Sequence, residues 1–352
     1  MKKTLSSLDY VKLLFAVVVV AIHTELFVNY KTGNILFTSF FAESAVPFFF
    51  IVSGFFIGSK YRNSNNSFKV IFNATKKYGI IAIVWGSWYT ILSILVNIFK
   101  ADFRNPVAII KNSITKSLLG SPGGGTWYIV ALFWECLCLS ILARAIDLNK
   151  RKKIILISCF LFYIIPYMWW IDFDIFNCIR TMYNSYFTGK TLFVFFLIYV
   201  IYGFYFNCDS LVRLKERNKK ICQICLGLLI ISVGGGKIFI NFSLYRIEGL
   251  AFFNGIIALL YNVLIFCFVM CLNNNDSENH KLKAKICRNC STIIYFSHYT
   301  IICGVKLLLQ VLGMNSLANN NVFVFILVML LCMFVCLIVL KSTTMKKLYF
   351  IS

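Results

Sequence analysis

Charged side chains are scarce in this chain of 352 residues: Asp, Glu, Lys and Arg make up 14 %, while 60 % of positions are hydrophobic and the mean hydropathy is +0.80. A soluble globule carries about 25 % charged and about 45–50 % apolar residues, so that class is excluded and the apolar excess requires a bilayer as its solvent. Acidic residues are scarcer still, 13 against 35 basic ones, for a net charge of +22. On a soluble protein this balance would suggest nucleic acid, but no recognition motif accompanies it and nucleic acid is not an expected partner. Internal repeats and low-complexity tracts are lacking, and the polar stretches Arg62–Ser67 and Asn273–Lys285 read as solvated loops. A span takes roughly 20 apolar residues. About ten of them leave no room for a separate soluble domain, which makes residues 1–352 one integral-membrane domain, all-α and polytopic.

The apolar runs are Leu8–Val28, Ile35–Ser59, Ile71–Phe99, Trp127–Ile146, Ile154–Trp170, Thr191–Asn207, Ile221–Ile240, Ala251–Leu272, Ser291–Leu312 and Val322–Leu340. With the N-terminus cytoplasmic, the inner segments hold 23 of the basic residues and the outer loops nine, Lys237 and Arg246 among them. Basic residues collect in cytoplasmic loops, so both termini are expected inside. The first run has full span length and no small-residue cleavage site follows it, so it is expected to stay as a helix. Between the third and fourth runs, Val107, Ile110, Ile114 and Leu118 recur at helical intervals, which predicts an interfacial helix over Asp102–Gly120.

Fourteen cysteines suggest a disulfide framework until their positions are read. Most sit inside apolar spans, where a free cysteine is a small hydrophobe, as at Cys332 and Cys336. Two C-x-x-C pairs, Cys222/Cys225 and Cys287/Cys290, lie near cytoplasmic loops and have the spacing of zinc ligands; chance placement at span ends is the blander account.

Ionisable side chains inside a span cost at least ~2.5–3.5 kcal/mol each on insertion scales, so each is a functional candidate. The first span carries Asp9 and Lys12 near its cytoplasmic end, at the i,i+3 spacing of a pair, with His23 and Glu25 toward its outer end. Eleven residues separate Lys12 from His23, within roughly 20° of three full turns. Both therefore face one direction, about 16–17 Å apart along the axis. A structural histidine and a lysine snorkelling to the headgroups would produce the same pattern. Of three histidines in all, His298 also lies in a span and His280 in a loop.

Two further segments carry candidates. Glu43 begins the second span beside Pro47, and Pro47 with the small pair Ser53 and Gly54 bends a bulky aromatic helix or admits a close neighbour. Ser121-Pro-Gly-Gly-Gly-Thr-Trp-Tyr opens the fourth span with a flexible turn, a cap at Thr126 and the aromatic pair Trp127 and Tyr128; Glu135 is a carboxylate two turns further in.

Asp9-Tyr-Val-Lys12 followed by Ala21-Ile-His23-Thr, then Val46-Pro-Phe-Phe-Phe-Ile-Val-Ser-Gly54, Thr126-Trp-Tyr-Ile129 and Ser291-Thr-Ile-Ile-Tyr295-Phe-Ser-His298, resembles the membrane acyltransferase 3 family in order and over nearly the whole chain. The resemblance implies transfer of an acyl group, usually acetyl, from cytoplasmic acyl-CoA to sugars of surface or exported glycans, with the basic residue and histidine of the first span in catalysis. Lys12 stands where arginine is usual, and lysine lacks the planar two-pronged grip of guanidinium. The lysine form also looks like the membrane portion of VanT-type serine racemases, a relative linked to serine uptake. Because this chain ends at Ser352, just past the tenth span, racemisation itself is not expected.

The reading that follows is a membrane O-acyltransferase using acyl-CoA (acetyl-CoA) and no metal. In it Lys12 holds the donor, His23 acts as general base or carries the acyl group, and Asp9 orients Lys12. Glu25, Glu43, Ser53, Trp127, Tyr128, Glu135, Arg180 and His298 are the candidate substrate-binding residues, Arg180 or Arg246 shaping the outer acceptor site. The alternative is a transporter of serine or of a glycan, in which Lys12 meets a carboxylate and Asp9 or Glu25 an ammonium, although no two-fold repeat is visible. The expected partners are the lipid bilayer and a glycan or lipid-linked sugar acceptor, with a homo-oligomer left open. Richness in Lys, Asn, Ile, Phe and Tyr points to an AT-rich bacterial genome, and hence to the bacterial cytoplasmic membrane.

Overall fold

The computed structural model describes residues 5–99, 127–164, 193–207, 216–243, 250–272 and 277–350. Helices account for about 89 % of it, and no strand occurs among the described residues. In chain order these are α1 Ser6–His23, α2 Lys31–Phe37, α3 Glu43–Arg62, α4 Ser67–Phe99, α5 Trp127–Ala145, α6 Lys152–Ile164 and α7 Phe193–Tyr205, then α8 Glu216–Ser243, α9 Leu250–Cys271, α10 Glu278–Val311, α11 Asn315–Ala318, α12 Asn321–Lys341 and α13 Thr343–Leu348. A π-helical turn, Thr38–Ala42, joins α2 to α3. Such uniform helicity follows from the solvent: hydrocarbon offers no partner to a backbone N–H or C=O, and a helix satisfies both internally.

Among the described residues eight helical runs are long and apolar enough to cross a membrane: α1, α2 through α3, α4, α5, α8, α9, α10 and α12. The fifth and sixth expected spans coincide with the shorter α6 and α7, and the intervening residues 165–192 lie outside the described residues. The expected interfacial helix Asp102–Gly120 and the cap at Thr126 lie outside them as well. Lys237 corrects the loop reading of the sequence: it sits inside α8 and is fully buried.

The chain divides into two compact units, the first of residues 1–46, 208–242 and 260–352, the second of residues 47–207 and 243–259. Two of the four boundaries fall inside α3 and α9, the former at Pro47, which has no N–H to give its helix; the others follow α7 and fall at the last residue of α8.

In the first unit α10 is the long element, 34 residues or about 51 Å, capped by the Ser277 hydroxyl accepting from the His280 amide. Only part of that length fits a hydrocarbon layer about 30 Å thick. α1 packs along α10, and α12 packs on α10 from another side. α12 buries Val324, Val328, Cys332, Cys336 and Val339 in one stripe, so its two cysteines are apolar filling. No disulfide joins any of the twelve cysteines among the described residues.

In the second unit the aromatic helix α3 meets α7 through glycines. A Cβ added at Gly54 or Gly58 would strike the carbonyls of Val200 and Phe204, and one at Gly203 the carbonyl of Ile51. The small pair that the sequence singles out thus lets two backbones touch, and Gly58 completes a G-x-x-x-G run. Arg62 closes the contact by donating to the carbonyls of Phe204 at 2.6 Å and Phe206 at 2.8 Å. α4 packs on α5, with the Thr75 and Ser140 hydroxyls 2.9 Å apart.

Replacing Gly58 by Leu forces that helix pair apart and should lower stability by about 3 kcal/mol or more, the upper range for overpacking. Gly235→Leu, where nothing lies within 4 Å of the added Cβ, should leave stability unchanged. Thermal unfolding of the detergent-solubilised variants, followed by the loss of the monodisperse size-exclusion peak, checks both.

Candidate functional site

The candidate site of the first unit is built on α1 and α10. Near the N-terminal end of α1 and about three turns into α10, the Asp9 carboxylate lies 3.7 Å from Lys12 Nζ and 3.8 Å from Arg288 Nη1. Further along both helices the imidazoles of His23 and His298 lie 5.2 Å apart by ring centroids, tilted by 41°, with the Tyr299 ring 6.0 Å from that of His23. Two contacts in the same order along both chains make α1 and α10 parallel.

Asp9 and Lys12 therefore meet as their spacing predicts, and Lys12 and His23 face the same neighbouring helix. Eleven helical residues put them about 16 Å apart along the axis. The sequence did not single out Arg288, which counts there among loop cations. Its only signal is a basic residue three positions before the apolar run Ser291–Leu312.

His298 is buried, with Nδ1 2.9 Å from the carbonyl of Ile294 and 2.7 Å from that of Tyr295. A carbonyl oxygen only accepts, so Nδ1 carries the proton and the lone pair of the neutral ring sits on Nε2. That nitrogen is buried and has no hydrogen-bond partner among the described residues. His23 is the last residue of α1 and half-buried. Glu25, expected within the first span, instead lies past the end of α1, exposed, with φ +55° and its carbonyl accepting from the Asn321 side chain at 3.0 Å. α1 ends at His23, and the Thr24 hydroxyl donates back to the carbonyls of Val20 at 3.0 Å and Ala21 at 3.3 Å.

Glu43 also finds a partner that its neighbourhood in sequence does not reveal. Its carboxylate lies 2.9 Å from Nζ of the fully buried Lys237, whose ammonium stands 4.8 Å from the Tyr261 ring. The adjoining π turn leaves backbone and side-chain groups to be met from outside. Tyr261 donates to the Phe40 carbonyl at 3.3 Å, and Asn241 donates to the Ser39 hydroxyl at 2.7 Å.

In the second unit the Ser53 and Tyr128 hydroxyls are 2.9 Å apart, and Tyr128 also donates to the Phe49 carbonyl at 3.3 Å. Trp127 packs against the rings of Phe50 and Phe196, 6.4 and 5.5 Å away by centroids. Glu135 is fully buried, and neither carboxyl oxygen has a hydrogen-bond partner among the described residues. A groove of about 590 Å³ between α4 and α5 is lined by Gly79, Gly86, Thr90, Phe133 and Trp134, with no ionisable group among the described lining residues. Arg180 and Arg246 lie outside the described residues.

The two C-x-x-C pairs do not converge on a metal. Cys222 lies 3.7 Å from Cys271, Cys336 approaches the Cys290 carbonyl at 3.9 Å, and no group of three or more His, Cys, Asp and Glu able to hold a metal occurs among the described residues.

The buried ion pair sets an asymmetric expectation. Glu43→Gln leaves the sealed ammonium of Lys237 without its counter-charge and should cost about 3–5 kcal/mol. Lys237→Met leaves a carboxylate that is 32 % exposed and should cost clearly less, with the double variant recovering most of the loss. Thermal stability of the four purified proteins measures this cycle.

A curated relative, an amino-acid racemase from Enterococcus faecalis, is 31 % identical over 235 residues, 63 % of this chain and 31 % of that protein. The chain thus spans about a third of the relative's length. No solved structure matches. The model of an acyltransferase domain matches residues 5–341, a range that contains the α1–α10 cluster and both polar pairs, and the chain belongs to this family, membrane acyltransferase 3.

Proposed function

We propose that the protein is a membrane O-acyltransferase that moves an acyl group, acetyl in the simplest case, from cytoplasmic acyl-CoA to a hydroxyl of an exported or surface glycan in the bacterial cytoplasmic membrane. The observation that carries the reading is the pairing of α1 with α10: cations gather at one end of the pair and two imidazoles at the other, about 16 Å further along. Lys12 and its neighbours hold the phosphate-bearing end of the donor at the cytoplasmic side. The extended arm of the donor then reaches toward His23.

There His23 acts as general base. It takes the proton of the acceptor hydroxyl as that oxygen bonds to the thioester carbonyl carbon, and it returns the proton to the sulfur as the C–S bond breaks, leaving an ester and a free thiol. The neighbouring His298, held by two backbone carbonyls, presents an acceptor nitrogen on Nε2 and restricts the orientation of the His23 ring. The membrane-spanning helices and the family support an acyltransferase; the glycan acceptor rests on the wider habit of that family.

His23→Ala should lower acyl transfer by about 10²-fold or more while the protein remains monodisperse, since positioned acid–base groups contribute about 10²–10⁴-fold. Glycan acylation is measured in cells expressing wild type and variant at matched levels. Unchanged acylation removes His23 from the mechanism, and uptake of serine into liposomes with no acyl donor present would favour transport instead.

A further inference from the structure

We infer that Lys12 and Arg288 form one phosphate clamp in which Asp9 is an internal counter-ion that the incoming phosphate ester displaces. Asp9 is 8 % exposed and stands between the two cations, yet its oxygens lie 3.7 and 3.8 Å from them. A charge-assisted hydrogen bond is about 2.7–2.9 Å long, so the carboxylate binds neither of these two nitrogens tightly.

Exposure grades inward across the cluster. The Arg288 side chain is 46 % exposed, whereas those of Lys12 and Asp9 are 15 % and 11 % exposed. An anion arriving from water therefore meets the guanidinium first, and Lys285, three residues earlier on α10 and exposed, adds attraction on the same face. The guanidinium offers two parallel N–H bonds to a phosphate, and Lys12 adds a point charge behind it. The guanidinium of Arg288 then trades a distant, shared carboxylate for a closer dianion. Asp9 lies in the first turn of α1, where the helix dipole favours whichever anion occupies the place.

The shared chemistry is a phosphate ester, from the nucleotide end of the donor or from an anionic lipid headgroup. The nucleotide source rests on the function proposed above, because it is what leaves the thioester arm running toward His23.

The test is binding, not turnover. Full-length protein in phosphatidylcholine nanodiscs is titrated with CoA by calorimetry, with and without phosphatidylglycerol in the disc. Arg288→Gln, at an exposed position that does not endanger folding, should weaken CoA binding about 10-fold, and Arg288→Lys should restore part of it. Asp9→Asn, which removes the competitor, should tighten CoA binding several-fold; a merely structural role would weaken it. If phosphatidylglycerol binding follows Arg288 while CoA binding does not, the clamp stands with a lipid headgroup as its ligand. If neither follows Arg288, or Asp9→Asn weakens CoA binding in protein that remains monodisperse, the clamp is overturned. Loss of acylation in His23→Ala with CoA affinity independent of Arg288 would sink the clamp and leave the acyltransferase reading in place.

Discussion

Helices α1 and α10 run side by side in one direction, and that pairing decides what the polar residues of the first unit meet. A charge in hydrocarbon needs a partner, because no water is there to supply one. Along α1 the partners come from α10: Arg288 shares Asp9 with Lys12, and His298 stands against His23. Had the two helices been antiparallel, the cation of α10 would lie near His23 and the imidazole near Asp9. Separation of a charged end from an imidazole end is thus a property of helix direction as much as of residue choice.

Elsewhere the chain handles buried polarity in two different ways. Lys237 is sealed but matched, by the carboxylate of Glu43 and the face of Tyr261, and the π turn beside it has its loose groups taken by Asn241 and Tyr261. Glu135 is sealed and unmatched among the described residues. The first arrangement holds α8 to the start of α3. The second leaves, among the described residues, a carboxyl group whose burial no hydrogen-bond partner offsets. Between α3 and α7, by contrast, close approach is achieved by removing side chains altogether at Gly54, Gly58 and Gly203.

Much of this was legible beforehand wherever one helix decides the outcome. The hydropathy runs located the eight span-length helical runs among the described residues, the i,i+3 spacing paired Asp9 with Lys12, and the eleven-residue spacing set Lys12 and His23 on one face. The errors have local causes. Lys237 reads as a loop residue because it follows three glycines, yet α8 continues through them. Glu25 reads as the outer end of the first span, yet α1 ends at His23 and Glu25 takes a left-handed backbone, φ +55°. Arg288 went unnoticed because nothing within its own segment distinguishes it from the other cations of that loop.

What the sequence by itself determined is therefore the membrane class, the helical runs and the angular relation of residues on each run, since these follow from solvent and from 3.6 residues per turn. Tertiary structure alone decided that Arg288 joins Asp9, that His298 joins His23 and that Lys237 joins Glu43. Each pair links residues roughly two hundred or more positions apart, and no local periodicity carries information about which helices become neighbours or which way they run.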